Sequence, residues 1–217
     1  MRHGLHAPEL DGMRELLTEQ IDPRYSEIDG ASVEELARLM NEADATVPAA
    51  VGAAIGQIVP AIEAISHRLA RGGRLFYIGA GTAGRIGVLD ASECVPTFNT
   101  PPDVVQGIIA GGSAAILSAS EGAEDDVDAG SRVIAEHCVT EADAVVGIAA
   151  SGRTPYVLAA IRAARLAGAL TVALSCNRGS PLSGEAELPI EVPVGPEVLA
   201  GSTRLKAGTA QKLVLNM

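Results

Sequence analysis

The chain has 217 residues, of which 47% are hydrophobic but only 2% aromatic, with no tryptophan and 24 glycines. That much apolar material excludes global disorder and suits one full domain, whose core must be built from Ala, Val, Ile and Leu. Acids outnumber bases 27 to 16, a net charge of −11, and this excludes nucleic acid as a default partner. Phosphate backbones need clustered Lys and Arg, and the shortage of aromatics also removes the usual base-stacking platform.

Cys94, Cys138 and Cys176 are odd in number and widely spaced, with no CxxC pair. Neither a disulfide framework nor a zinc site is indicated, and the cysteines read as small buried apolar residues. His3, His6, His67 and His137 form no ligand-like cluster, so no metal is expected. The N-terminus lacks the apolar core of a signal peptide, and no apolar run reaches transmembrane length. No membrane partner is expected, and the expected setting is the cytoplasm.

Residues 1–47 read as a polar, helix-prone N-terminal segment with turns at Asp22-Pro23 and Asp29-Gly30. Ser32 followed by Glu35 is a capping-box pattern that opens a helix from Val33 to Glu42. From Ala49 to Leu69, Ile55, Ile58, Val59, Ile62, Ile65 and Leu69 recur at helical spacing, and Gly72-Gly73 closes the run. Five short apolar strands follow: 74–78, 104–110, 144–150, 170–174 and 188–194, the last an edge strand because of Pro189 and Pro193. Helical stretches lie between them at 84–93, 121–138 and 155–167. The alternation predicts an α/β fold, a doubly wound parallel sheet flanked by helices, over residues 48–217. A last helix from Ala207 ends on Leu213-Val-Leu-Asn-Met217 with no capping signal, as a longer chain interrupted there would.

The first strand runs into Gly79-Ala-Gly81-Thr-Ala-Gly84-Arg85, a GxGxxG between strand and helix. A dinucleotide site would also need an acid at the tip of the second strand. That strand ends Ile109-Ala-Gly-Gly-Ser113, so what remains is an anion site at a helix N-terminus. The third strand ends in a similar loop, Ala150-Ser151-Gly152-Arg153-Thr154-Pro155. Ser151 and Thr154 offer hydroxyls, Gly152 permits close backbone approach, and Thr154 would cap a helix beginning at Pro155. Either loop alone is an ordinary strand–helix turn. Two at the carboxyl ends of parallel strands point to a small phosphorylated metabolite, since no Walker GK[ST] is present. A third polar segment, Gly201-Ser-Thr-Arg-Leu-Lys206-Ala-Gly-Thr209, adds hydroxyls and two cations. Arg85, Arg153, Arg204 and Lys206 each read as a phosphate ligand or as a solvated surface cation.

Asp90-Ala-Ser-Glu93 falls at the end of the helix after the first glycine loop, where a carboxylate opposes the macrodipole. Glu121-Gly-Ala-Glu124-Asp-Asp126 opens the next helix, where acids are electrostatically at home. Two carboxyl groups in different environments can divide acid and base work. Spacing alone does not say whether Glu93 and Glu124 converge.

Together these motifs closely resemble the N-acetylmuramic acid 6-phosphate etherases. The resemblance rests on Gly79–Arg85, Leu89-Asp-Ala-Ser-Glu-Cys94, Gln106–Gly112, Glu121–Asp126, Ala150–Pro155 and Gly201–Lys212, with Thr18-Glu-Gln20 and Pro23 near the start. It implies a SIS-type phosphosugar domain and cleavage of a D-lactyl ether from a phosphorylated amino sugar, with no metal or organic cofactor. The implied course is ring opening, loss of the C2 proton, departure of lactate from C3 and addition of water. By position in the motifs, Glu93 matches the proton donor and Glu124 the second catalytic glutamate, taken as the C2 base. Gly81, Thr82, Ser151, Gly152 and Thr154 match the phosphate loops, joined by Ser202, Thr203 and Lys206. Ala83 stands where many members carry Ser, and members continue past Met217. A homodimer is the expected assembly. The competing readings are a phosphosugar-binding regulator, an aldose–ketose isomerase on the same fold and a nicotinamide enzyme; only the etherase needs both glutamates.

Overall fold

The computed structural model describes residues 16–217. His3, His6 and the rest of the first fifteen residues lie outside them. Three short 3-10 turns, Leu17–Glu19, Pro23–Tyr25 and Ile28–Gly30, lead into helix α1, Val33–Asp44. Its capping box is complete: Ser32 Oγ accepts from Glu35 N, and the Glu35 carboxylate accepts from Ser32 N at 2.8 Å. The apolar run expected as one helix from Ala49 to Leu69 is instead two, α2 (Val47–Ala53) and α3 (Ile55–Leu69). The chain turns at Ala54, so that Val47, Val51, Ile58 and Ala61 all reach the same core.

Five parallel strands follow: β1 Leu75–Gly79, β2 Val105–Ile109, β3 Ala144–Ile148, β4 Leu170–Ser175 and β5 Leu188–Glu191. They are ordered β2-β1-β3-β4-β5, and β5 is the edge strand its prolines announced. Between them run α4 (Gly81–Phe98), the one-turn α5 (Ala114–Leu117), α6 (Val127–Glu136), α7 (Pro155–Leu166) and the short α8 (Pro181–Glu185), and α9 (Lys206–Leu215) closes the chain. The sheet separates two cores. One face packs Tyr77, Val146 and Val172 against α2, α3, α4 and α9; the other packs Phe76, Ile78 and Val145 against α6 and α7. Among the described residues no single helix is long and apolar enough to cross a membrane.

Small residues set the closeness of this packing. A Cβ on Gly84 would lie 2.8 Å from the Gly79 carbonyl oxygen and 2.6 Å from Ile109 Cγ1, so the start of α4 rests directly on the strand backbone. From β1 the chain goes to β2 on one side and later returns to β3 on the other. The loops leaving β1 and β3 therefore diverge, and they leave a crevice at the carboxyl ends of the two central strands. Ligands of open α/β sheets bind at such a switch point.

Candidate active site

A cavity of about 440 Å³ occupies that crevice, a size suited to a small ligand. The loop after β1 supplies Ala80, Gly81, Thr82 and Ala83; the loop after β3 supplies Ser151, Arg153, Thr154 and Pro155. Ala80 precedes α4 without a side-chain cap, and Gly81 sits at φ +52° with open space where a Cβ would be. The first N–H groups of α4 are thus left to a ligand. Thr154 precedes α7, but its hydroxyl makes no capping bond. The expected cap is absent, and the hydroxyl belongs to the cavity wall. Ser151 Oγ accepts from Arg153 N at 3.2 Å, which leaves its own proton to donate. Arg153 Nε is buried with no partner. Such an arrangement of donors can hold an anion.

Glu124 also faces the cavity. The helix expected from 121 begins only at Val127; Glu124 lies in a separate 3-10 turn, Ala123–Asp125, entered through Gly122 at φ +72°. Asp126 does the capping, its carboxylate accepting from Ala129 N at 2.8 Å. Glu124 is therefore free of helix duty and exposed.

Glu93 stands elsewhere. It is exposed on α4 and outside the cavity wall. Helix α4 runs on to Phe98 with a left-handed Asn99 behind it, so Glu93 is mid-helix and the dipole argument against a structural role falls. Eleven residues separate it from Thr82, about 16 Å along the axis, well beyond the reach of its side chain. Within one copy Glu93 and Glu124 do not converge.

The third polar segment divides. Thr203 lines the cavity. Ser202 does not, its Oγ accepting from Arg204 at 2.9 Å. Lys206 is buried and turned away, its Nζ donating to the Val194 carbonyl at 2.8 Å. Beside it the buried Glu197 accepts from Lys206 N and Ala207 N at 3.0 and 2.9 Å and so caps α9. Burial pushes the Lys206 ammonium down and the Glu197 carboxyl up. Gly152 shapes its loop rather than lining the cavity: it sits at φ +68°, and a Cβ there would lie 2.3 Å from Ser180 Oγ. Arg85 is spent on the carbonyls of Ile116 and Ser118. Of the cysteines only Cys176 is fully buried, its thiol pushed up to about 12 by burial; Cys138 is exposed.

Among the wall residues that carried no role in the sequence reading, three stand out. Glu19 and Leu16 come from the N-terminal segment, which Asn177 ties down. Its Oδ1 accepts from Leu17 N at 2.7 Å, and its Nδ2 donates to Thr18 Oγ1 and to the Ala150 carbonyl. Gln211 is the third, buried with its Nε2 unpartnered. Its signal was present: in α9 the buried stripe Ala207, Ala210, Gln211, Val214 has one polar member.

The SIS domain family matches residues 127–217, and the family described as glucokinase regulatory protein N-terminal SIS domain matches residues 57–165. An N-acetylmuramic acid 6-phosphate etherase of Streptomyces avermitilis is 59% identical over 93% of this chain and 65% of its own length. One of Streptomyces coelicolor is 57% identical over 98% of this chain and 68% of its own. The chain thus spans about two thirds of the length of these relatives. Among solved structures, the phosphoheptose isomerase of Neisseria gonorrhoeae superposes with a TM-score of 0.63 at 17% identity, covering 84% of this chain and 94% of that one, and so shares the fold.

Proposed function

The chain belongs to the N-acetylmuramic acid 6-phosphate etherase family, and on that premise we propose that its crevice binds this phosphorylated amino sugar and cleaves the D-lactyl ether in the cytoplasm. The observation that carries the reading is the joining of an anion cradle to a free carboxylate in one cavity. Arg153, Ser151, Thr154 and the α4 N-terminus face the same space as Glu124. The cradle takes the phosphate and fixes the sugar. Glu124 takes the proton from C2 of the open-chain form, next to the aldehyde. Lactate then leaves C3, and water adds to the resulting double bond to give N-acetylglucosamine 6-phosphate. An ether oxygen leaves well only when protonated, so a second carboxyl group is needed as acid.

We assign that acid to Glu93 and its delivery to a second copy of the chain. Leu89 and Glu93 are both exposed on α4, four residues apart and so on one side of the helix, and Leu89 is 53% exposed. A homodimer packed on this part of α4 brings each Glu93 toward the other copy's cavity.

The test is D-lactate release from N-acetylmuramic acid 6-phosphate. The parent chain should release lactate, and Glu93→Gln and Glu124→Gln should each abolish release. Mixing the two inactive variants should restore about a quarter of the parent rate, since half of the dimers are mixed and each of these holds one intact site. No recovery on mixing would place both glutamates in one copy and remove the shared site. Lactate release unaffected by Glu124→Gln would remove the base.

A further inference from the structure

Gln211 is a polar side chain where the helix pattern calls for an apolar one. It is 1% exposed, its Nε2 has no hydrogen-bond partner, and it forms part of the cavity wall. Native structures carry few such atoms, and each asks for a reason.

The amide is held in place from two sides. Glu197 holds the first turn of α9 by two backbone N–H groups. One turn before Gln211, a Cβ on Gly208 would lie 3.3 Å from Thr82 Cγ2 and 3.5 Å from Ile86 Cδ1, so α9 presses on α4 at the mouth of the phosphate loop. Pinned at both places, the helix cannot rotate to release Gln211.

What would satisfy it follows from the company it keeps. The phosphate has its own donors in Arg153, Ser151 and Thr154. Beyond the phosphate, the substrate proposed above offers a lactyl carboxylate and a 2-acetamido group, and Glu19, Glu124 and Asp125 on the same wall disfavour the carboxylate as the partner of this amide. A neutral carboxamide fits a neutral amide, whose carbonyl accepts from Nε2 and whose N–H is met by Oε1. Leu16, Ala80 and Ala149 supply apolar surface in the same cavity for a methyl group. We propose that Gln211 reads the 2-acetamido group of the sugar, with Nε2 donating to its carbonyl oxygen. This rests on the phosphosugar reading above. The acetamido group hangs from C2, the carbon that Glu124 deprotonates, so the two residues serve neighbouring atoms.

Calorimetric titration of N-acetylglucosamine 6-phosphate, glucose 6-phosphate and inorganic phosphate into the parent chain, Gln211→Met and Gln211→Glu tests this. The parent should bind the acetamido sugar about tenfold more tightly than glucose 6-phosphate. Both variants should bind the two sugars alike, with phosphate affinity unchanged in Gln211→Met. Gln211→Met should also melt about 2–4 °C higher, because the unpaired amide is gone; the melt shows at once that the variant is folded. Retention of the preference by both variants overturns the proposal, as does an equal weakening of both sugars, which would mean a hydroxyl is read instead. A parent chain that binds neither sugar overturns the phosphosugar reading itself, and this inference with it.

Discussion

The two ends of strands β1 and β3 treat their polar groups in opposite ways. At the amino ends, Arg74 and Asp143 form a closed network. Arg74 Nε and Nη2 reach the two carboxylate oxygens at 3.1 and 2.8 Å, and its remaining donors meet the carbonyls of His137 and Cys138. Asp143, 2% exposed, also accepts from the backbone N–H groups of Arg74 and Thr140, both at 2.9 Å. The Phe76 ring lies 4.9 Å beneath the guanidinium. At the carboxyl ends, Arg153 Nε and Gln211 Nε2 are buried without partners, and Thr154 caps nothing. One end commits its polar atoms to the fold. The other keeps them for a ligand, at a cost of about 1–3 kcal/mol for each unpaired group.

Substitutions should therefore separate chemistry from stability by location. The largest effect on turnover belongs to Glu124→Gln. Loss of a general base removes two to four orders of magnitude of rate, roughly 10²–10⁴-fold. Because Glu124 is exposed, the melting temperature should stay within about 1–2 °C of the parent. A large fall in melting temperature would show that Glu124 supports the fold and would blur the contrast.

Asp143→Asn should do the reverse. Removing one partner of a buried, hydrogen-bonded pair costs about 3–5 kcal/mol, a fall of about 6–20 °C in a chain of this size. Per folded molecule, phosphosugar affinity should be unchanged. The pH dependence follows from the same network. Burial alone would raise the Asp143 pKa, but the Arg74 guanidinium and the N–H groups of Thr140 and Arg74 outweigh it and hold the carboxyl below its ordinary range. A lowered folded-state value adds stability that is complete above the unfolded value near ~4 and is lost as pH falls through the folded one. Denaturation midpoints measured from pH 7 to pH 3 should fall steeply for the parent and less for Asp143→Asn. Parallel curves would deny the network its share.

How much of this was legible beforehand depends on the range of the interaction. The strands, the two loops and the edge position of β5 followed from local patterns, because apolar runs, glycines and prolines act within a few residues of themselves. The break at Ala54 did not follow, since the apolar spacing of 55–69 continues smoothly from 49 and only the shape of the sheet demands the turn. Glu124 and Glu93 were both named from motifs, yet only Glu124 faces the cavity, because a helix of 18 residues carries Glu93 away from it. Lys206 was read as a phosphate ligand from its hydroxyl-rich neighbours. The Val194 carbonyl that takes its ammonium lies twelve residues back in a loop with no periodicity to mark it, and that contact turns the lysine inward.

The smallest effect is the sharpest test of the comparison. Thr154→Ala removes a hydroxyl from the position before a helix, where such a loss usually costs about 1 kcal/mol through the missing cap. Here no capping bond exists to lose, so the cost should be below about 0.5 kcal/mol, as at an ordinary surface site. Ser32→Ala supplies the control, because that hydroxyl does accept from Glu35 N and belongs to a complete capping box; its cost should be about 0.5–2 kcal/mol. The ranking reverses in binding. Thr154→Ala should weaken inorganic phosphate about tenfold or more, the worth of a hydrogen bond to a charged group, and Ser32→Ala should leave it untouched. Equal melting losses in the two variants would mean that Thr154 serves its helix after all, and that the carboxyl end of the sheet holds its polar groups no more freely than the amino end.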